Sequence, residues 1–502
     1  MKARKIPATM VTQHPDHANK PYWHYKTYVS TQYEAEEAYR SFAELGATEY
    51  KWDWEGKLVD ESVVERFFGE YLSFFKKSPL GIKTFLTFRL PNPRVETEFR
   101  VGRAFMNMIS AASNAKHVGF AVPPLFEVIL PMTETPEEML ALQEAFAELR
   151  ALKHPLYRMD NFLTNLRIIP LFESVATILR SDKIVEKYLS LYKKKFGKKP
   201  PYMRPYVARS DPALNSGLIP TVLAIKIALS RYKKLEKKLK LPLHPIIGAA
   251  ALPFRGGLTP QNAHEFIQEY RGIRTTTIQS AFRYDFPLPQ VISAIALLEK
   301  ELPKGDPQVV SPSDEKKLRE LIRVSETYYK EVIEELAPLI NSIAVGVPRR
   351  RERFLHIGLY GYSRGEGKVS LPRAITFTGA LYSFGLPPEI IGTGRTIAYA
   401  KKHNMLPLLE KYYLFLKRDV ERAGKFVNKA NIAHLAHKIP SGKKIVQDIS
   451  SIEEYLGKPL EPSTSEEKRH HVLTGRMLSS MGDRKKLEQI IKQTAILRKS
   501  LG

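Results

Sequence analysis

The sequence predicts an α/β protein of the (β/α)8, TIM-type barrel class, elaborated with many additional α-helices. Three observations carry that expectation. Apolar runs of strand length recur along the chain, stretches of helical periodicity lie between them, and almost every run ends on a charged or polar residue. Strands alternating with helices build parallel βαβ units. In a closed barrel of such units the C-terminal strand ends meet at one mouth, so residues distant in sequence share one site.

Seven runs are read as strands. Thr84–Leu90 carries Arg89, and Phe126–Met132 leads to Thr133. Leu166–Glu173 ends in a carboxylate, and Tyr202–Arg209 runs into Ser210 and Asp211. His244–Leu252 opens onto Phe254, Arg255, Gly256 and Gly257; Thr275–Phe282 contains Gln279; Phe354–Tyr360 stops shortly before Ser363 and Arg364. The helices between them are also legible. Thr135, Pro136, Glu137 and Glu138 read as N-cap, N1 proline and first-turn acids, and Met139, Leu142, Phe146 and Leu149 follow at helical spacing. Ser311 to Asp314 opens a long helix bearing Leu318, Leu321, Ile322, Val332, Ile333 and Leu336, and Thr221–Leu241 forms another with a lysine-rich outer face. Beyond about residue 400 strand signals fade and the chain reads as helical to Gly502. That part forms either a separate lobe or a layer on the barrel. The expectation adopted is one catalytic barrel domain over 1–502 with helical insertions, residues 400–502 packing on the barrel.

At 502 residues, 43% hydrophobic and 26% charged, the chain is globular and able to bury a large core. With no cysteine, disulfides, thiolate metal sites and a cysteine nucleophile are excluded. The amino terminus is basic but lacks the apolar stretch of a signal peptide, and no run approaches the ~18 apolar residues of a membrane span. A cytoplasmic location is expected. The net charge of +25 is scattered through Lys193–Lys195, Arg231–Lys240, Arg349–Arg353 and Arg484–Lys486. A nucleic-acid partner is one reading. A solvated lysine- and glutamate-rich surface is favoured, because the runs lie in amphipathic helices without interleaved aromatic platforms.

Common signatures fail. Gly365 to Ser370 has the wrong glycine spacing for a phosphate loop, and Val369 follows its lysine. Gly392–Thr393–Gly394 lacks the third glycine of a dinucleotide fingerprint, and His434 and His437 are read as a solvated helical pair. Glu173 and Asp211 say more. A carboxylate ending an apolar strand is costly unless compensated, either by Mg²⁺ or Mn²⁺ or by an arginine such as Arg209. The Arg255–Gly256–Gly257 turn lets backbone N–H groups approach an anion beside a bidentate guanidinium, although glycine-rich turns are common. Arg364 and Arg373 flank another polar turn, and Glu127 is read as paired in the core. His14 lies in Thr12–Asp16, before any assigned strand, where a histidine is either a proton carrier or an ordinary loop residue. Two acids and several arginines at one mouth describe a metal-assisted enzyme acting on a small polyanion.

Taken together, Thr12–Gln13–His14–Pro15–Asp16, Trp52–Asp53–Trp54–Glu55–Gly56–Lys57, Leu90–Pro91–Asn92–Pro93 and Phe126 to Met132 resemble the archaeal type of phosphoenolpyruvate carboxylase. So do Ala208 to Pro212, Pro253 to Gly256, His356 to Arg364 and Ser370 to Thr376. The likeness runs in order from residue 7 to about 395. It implies oxaloacetate and inorganic phosphate formed from phosphoenolpyruvate and bicarbonate, an anaplerotic carbon fixation. It further implies His14 as general base, Glu173 and Asp211 as ligands of Mg²⁺ (or Mn²⁺), Arg255 as the catalytic arginine of the glycine-rich loop, and Arg89, Arg255, Arg364 and Arg373 as substrate-binding arginines. A homo-oligomer, tetrameric by resemblance, with neither nucleic acid nor membrane as partner, completes the expectation. The long bacterial and plant enzymes have a second loop arginine that is lacking here, and Leu214 stands where they have a lysine. The alternatives are another metal-dependent barrel enzyme of phosphoenolpyruvate or pyruvate, a mutase or aldolase, and a basic RNA-binding protein.

Overall fold

The computed structural model describes residues 5–96, 99–152, 162–352 and 369–502. Eight short strands close a barrel: β1 (Thr9–Thr12), β2 (Glu49–Asp53), β3 (Phe85–Arg89), β4 (Glu127–Leu130), β5 (Arg167–Phe172), β6 (Tyr206–Ala208), β7 (Ile246–Gly248) and β8 (Thr275–Ile278). Each pairs in parallel with the next, and β1 closes on β8 with Met10 opposite Thr277. With helices between and after the strands, this is the (β/α)8 class the sequence predicts.

Six of the seven predicted runs contain a barrel strand. Phe354–Tyr360 lies outside the described residues, and the barrel closes without it. The two strands not predicted are β1 and β2, and β1 corrects the placement of His14, which follows a strand directly. Both escaped notice for a physical reason. β1 (TMVT) is short and half threonine, while β2 (EYKWD) is inverted, with Glu49, Lys51 and Asp53 inside the barrel and aromatic Tyr50 and Trp52 in the outer core. Gln279, predicted within a strand, is instead the N-cap of the helix Ser280–Tyr284.

The barrel interior is layered. At the N-terminal end Arg204, fully buried, donates to Glu49 at 2.6 and 2.9 Å, to Glu127 at 2.7 Å and to Thr275 at 3.1 Å. Glu127 is thus paired in the core, as its sequence suggests. Above lie Met10, Ile129, Ile169, Leu171, Tyr206, Ala208 and Ile246. The candidate site residues occupy the opposite, C-terminal end.

Local signals explain the helices. Thr135 accepts the Glu138 N–H at 3.3 Å in a capping box ahead of Pro136–Arg150. Ser311 accepts the Asp314 N–H at 3.0 Å, starting the 33-residue helix Pro312–Ala344. The helix expected at Thr221–Leu241 runs over Leu218–Leu239. Gly217, at φ 90°, makes the entry turn, and Pro220 falls in the first turn, where N–H groups lack intrahelical partners anyway. The chain beyond residue 400 meets the helix Ala263–Glu269 of the barrel: Arg418 pairs with Glu265 at 3.0 Å, and the Phe415 N–H bonds Glu269 at 2.9 Å. Among the described residues no helix is long and apolar enough to cross a membrane.

Candidate active site

A cavity of ≈ 910 Å³ opens at the C-terminal end of the strands. His14 after β1, Arg89 ending β3, Glu173 after β5, Asp211 after β6, Arg255 after β7, and Arg373 all line it. Arg364 lies outside the described residues.

Glu173 is placed by its neighbours on both sides. Its Oε2 accepts the Met132 N–H at 2.7 Å, and Met132 adopts the left-handed φ of 50°, unusual for a side-chain-bearing residue. Ser174 follows as the N-cap of Val175–Ile178, in a capping box with Thr177. Glu173 is 8% exposed, and Asp211, in the first turn of Ser210–Ser216, is partly exposed. Arg209, considered from sequence as a salt-bridge partner for these acids, donates to the Pro253 carbonyl at 3.1 Å. Among the described residues no cluster of three or more His, Asp or Glu forms a closed metal cage. Two carboxylates facing an open cavity are the donor set that suits Mg²⁺ or Mn²⁺, ions that keep waters and substrate oxygens in their shell. The residues fit such an ion.

The arginines differ in how much of their fork is already engaged. Arg89 is clamped by both oxygens of Asp53, the Nη2 contact being 2.7 Å, and its Nη1 lies 2.7 Å from Glu55. Burial alone would raise the Asp53 carboxyl; the charges of Arg89 and then Lys51 outweigh it and hold the group well below the carboxylate range. Arg255 donates Nε to Ser210 at 3.1 Å, Nη2 to Gln279 at 2.8 Å and Nη1 to the Gly502 oxygen, and lies 3.4 Å from Asp16. Its loop needs glycine: Gly256, at φ 122°, would drive a Cβ to 2.8 Å from Ala249. Arg373 is the N-cap of Ala374–Phe384, 26% exposed and 3.9 Å from Glu55, so its fork reaches the cavity at the rim.

His14 is held at both ends. Nδ1 lies 3.0 Å from Thr12 Oγ1, and the His14 carbonyl accepts from Ser280 and from the Asp16 N–H. Burial first, then the positive charges of Lys51 and Arg89, lower its pKa well below the ordinary histidine value. The imidazole is therefore neutral near pH 7, as a proton acceptor must be. By contrast, His434 and His437 are exposed on Lys429–Lys438, as solvated residues are.

Sequence reasoning did not single out Lys51, Asp53, Glu55 or Asp16 as site residues. The signal for the first three was present in β2 and the turn after it, where charge alternates with aromatics.

A family model described as phosphoenolpyruvate carboxylase matches residues 6–502. The chain is 38% identical to the phosphoenolpyruvate carboxylase of Metallosphaera sedula, over 99% of this chain and 100% of that protein. It is 37% identical to that of Leuconostoc mesenteroides over 94% of each, and 36% identical to that of Pyrococcus horikoshii over 88% of this chain and 94% of that protein.

Proposed function

The chain belongs to the phosphoenolpyruvate carboxylase family, and on that premise we propose that it carboxylates phosphoenolpyruvate with bicarbonate, releasing oxaloacetate and inorganic phosphate. The observation that carries the reading is the convergence of His14, Glu173, Asp211, Arg255 and Arg373 on one cavity at the barrel mouth. The first four follow four different barrel strands and Arg373 comes from the helical part after β8, so residues far apart in sequence meet at one mouth.

The substrate carries a phosphate and a carboxylate, which planar guanidinium groups bind well. Arg373 meets the substrate at the rim, and Arg255 presents its remaining N–H deeper in the mouth. Glu173 and Asp211 would hold Mg²⁺ or Mn²⁺, which when bound supplies positive charge where an enolate oxygen develops negative charge. Bicarbonate oxygen attacks phosphorus as the bond from phosphorus to the enol oxygen breaks, giving carboxyphosphate and the pyruvate enolate. His14, neutral in this environment, takes the carboxyphosphate proton. Carbon dioxide and phosphate separate, and the enolate carbon adds to the carbon dioxide. The mouth must exclude water during this interval, since a protonated enolate is merely pyruvate.

The barrel and the helices beyond residue 400 act as one catalytic unit in this reading, because Arg255 is anchored by the Gly502 oxygen and Asp16. A cytoplasmic homotetramer is the assembly and location we infer from the family likeness. The deciding experiment is a coupled oxaloacetate assay with Mg²⁺, with and without bicarbonate. Bicarbonate-dependent oxaloacetate is expected. Turnover of phosphoenolpyruvate indifferent to bicarbonate would instead favour a mutase or aldolase.

A further inference from the structure

One fully buried charged side chain in the wall of the cavity has no part in the mechanism above. Lys51 is the middle residue of β2, and alternation points it into the barrel with Glu49 below and Asp53 above. Both neighbours are committed, Glu49 to Arg204 and Thr87, Asp53 to Arg89. Lys51 is fully buried, and among the described residues its Nζ meets no hydrogen-bond partner. It nevertheless lines the cavity, near Leu171 and Tyr206 of the barrel's apolar layer.

An ammonium with all three donors unmet inside a protein is costly, and such a group is retained where function needs it. The cost is visible in its protonation. Burial and then the charge of Arg89 pull the Lys51 pKa down to about 7, against the opposing pull of Asp53, Glu55 and Glu173. Hydrogen bonds to protein groups take up all but one of the Arg255 N–H groups, and carboxylates take up Arg89, whereas Lys51 keeps its donors for whatever enters the cavity.

We propose that Lys51 is a substrate-binding residue whose Nζ holds an oxygen of the phosphoryl group at the floor of the cavity. The identity of the anion rests on the carboxylase reading. Two features favour the phosphoryl group over the substrate carboxylate. Lys51 is the register partner of Thr12, whose Oγ1 lies 3.0 Å from His14 Nδ1, and both Lys51 and His14 line the cavity; in the proposed step His14 handles the phosphate-bearing anhydride. A compact ammonium with three donors also suits a tetrahedral oxyanion approached from below, whereas the planar fork of Arg373 at the rim suits a carboxylate.

The test compares wild type with Lys51→Met by thermal melting with and without inorganic phosphate, and by steady-state kinetics. Removing an unpartnered buried charge should leave the apo melting temperature unchanged or raised. Phosphate should raise the wild-type melting temperature and leave that of Lys51→Met unmoved, while kcat/KM for phosphoenolpyruvate falls at least about tenfold. Equal protection of both proteins by phosphate, or unchanged kcat/KM, would overturn the proposal. Should Lys51→Met not fold, Lys51→Gln is read by the same two measurements; failure of both to fold would make Lys51 structural and also overturn it. Wild type forming no oxaloacetate would defeat the carboxylase reading, yet the phosphate-dependent melting comparison would still decide whether Lys51 binds the anion.

Discussion

Replacing His14 with asparagine separates the two halves of the proposed reaction. Asparagine keeps a polar group able to face Thr12 Oγ1 while removing the only atom that could accept a proton. Even complete loss of the Thr12 contact would cost only about 0.5–1.5 kcal/mol of stability, small enough for the fold to survive. Loss of a general base costs about 10²–10⁴-fold, which at 1.36 kcal/mol per decade is about 2.7–5.4 kcal/mol of barrier. If His14 acts only on carboxyphosphate, attack on phosphorus is spared. The variant should then release phosphate in a bicarbonate-dependent manner while yielding pyruvate, with oxaloacetate down by the factor above. Both products are measured on the same sample. The pH profile adds a second readout. Burial and the charges of Lys51 and Arg89 lower the His14 pKa, so its base form is lost only as pH falls through that lowered value. Its acid limb in kcat/KM should lie below the ordinary 6.5 and vanish in the variant. Wild-type oxaloacetate yield from His14→Asn would refute the assignment, and loss of phosphate release as well would move His14 into the first step.

Glu173→Gln and Asp211→Asn should each abolish turnover while retaining the fold; near-normal activity of either at saturating Mn²⁺ would remove that acid from the metal site. Arg373→Ala should lower kcat/KM for phosphoenolpyruvate roughly tenfold or more, the loss of a charge-assisted contact of about 1.5–3 kcal/mol, with melting close to wild type; unchanged kinetics would leave it a surface residue. Arg204→Met should destabilise the protein by about 3–5 kcal/mol, because it leaves Glu49 and Glu127 buried without their cation; a denaturation midpoint equal to wild type would show that those acids find other partners.

The barrel class and the mouth were legible because six strands present apolar runs and their ends carry the candidate site residues. Glu173 and Asp211 could be read as a pair for that reason. β2 was not legible as a strand, since its inward positions are Glu49, Lys51 and Asp53: its charge serves the interior of the barrel, and the usual pattern is reversed. The same inversion hid Lys51. What no sequence pattern conveys is how strongly each arginine is already engaged. Arg89 and Arg255 look as available as Arg373 on paper, yet Asp53 and Glu55 hold the first, and Ser210, Gln279 and the Gly502 oxygen hold the second. Those partners lie tens to hundreds of residues away, beyond the reach of local spacing.

The ion-paired layer around Arg204 has a consequence for traffic. With the apolar layer above it, it stops the barrel at the N-terminal end, so the chamber formed by the described residues is a well that opens toward the C-terminal ends of the strands. In such a well, depth imposes sequence: whatever rests on the floor has to arrive before, and depart after, whatever rests above it. An inhibitor lodged at the rim therefore traps what lies beneath, and the order in which products leave becomes a property of the architecture rather than of any single affinity.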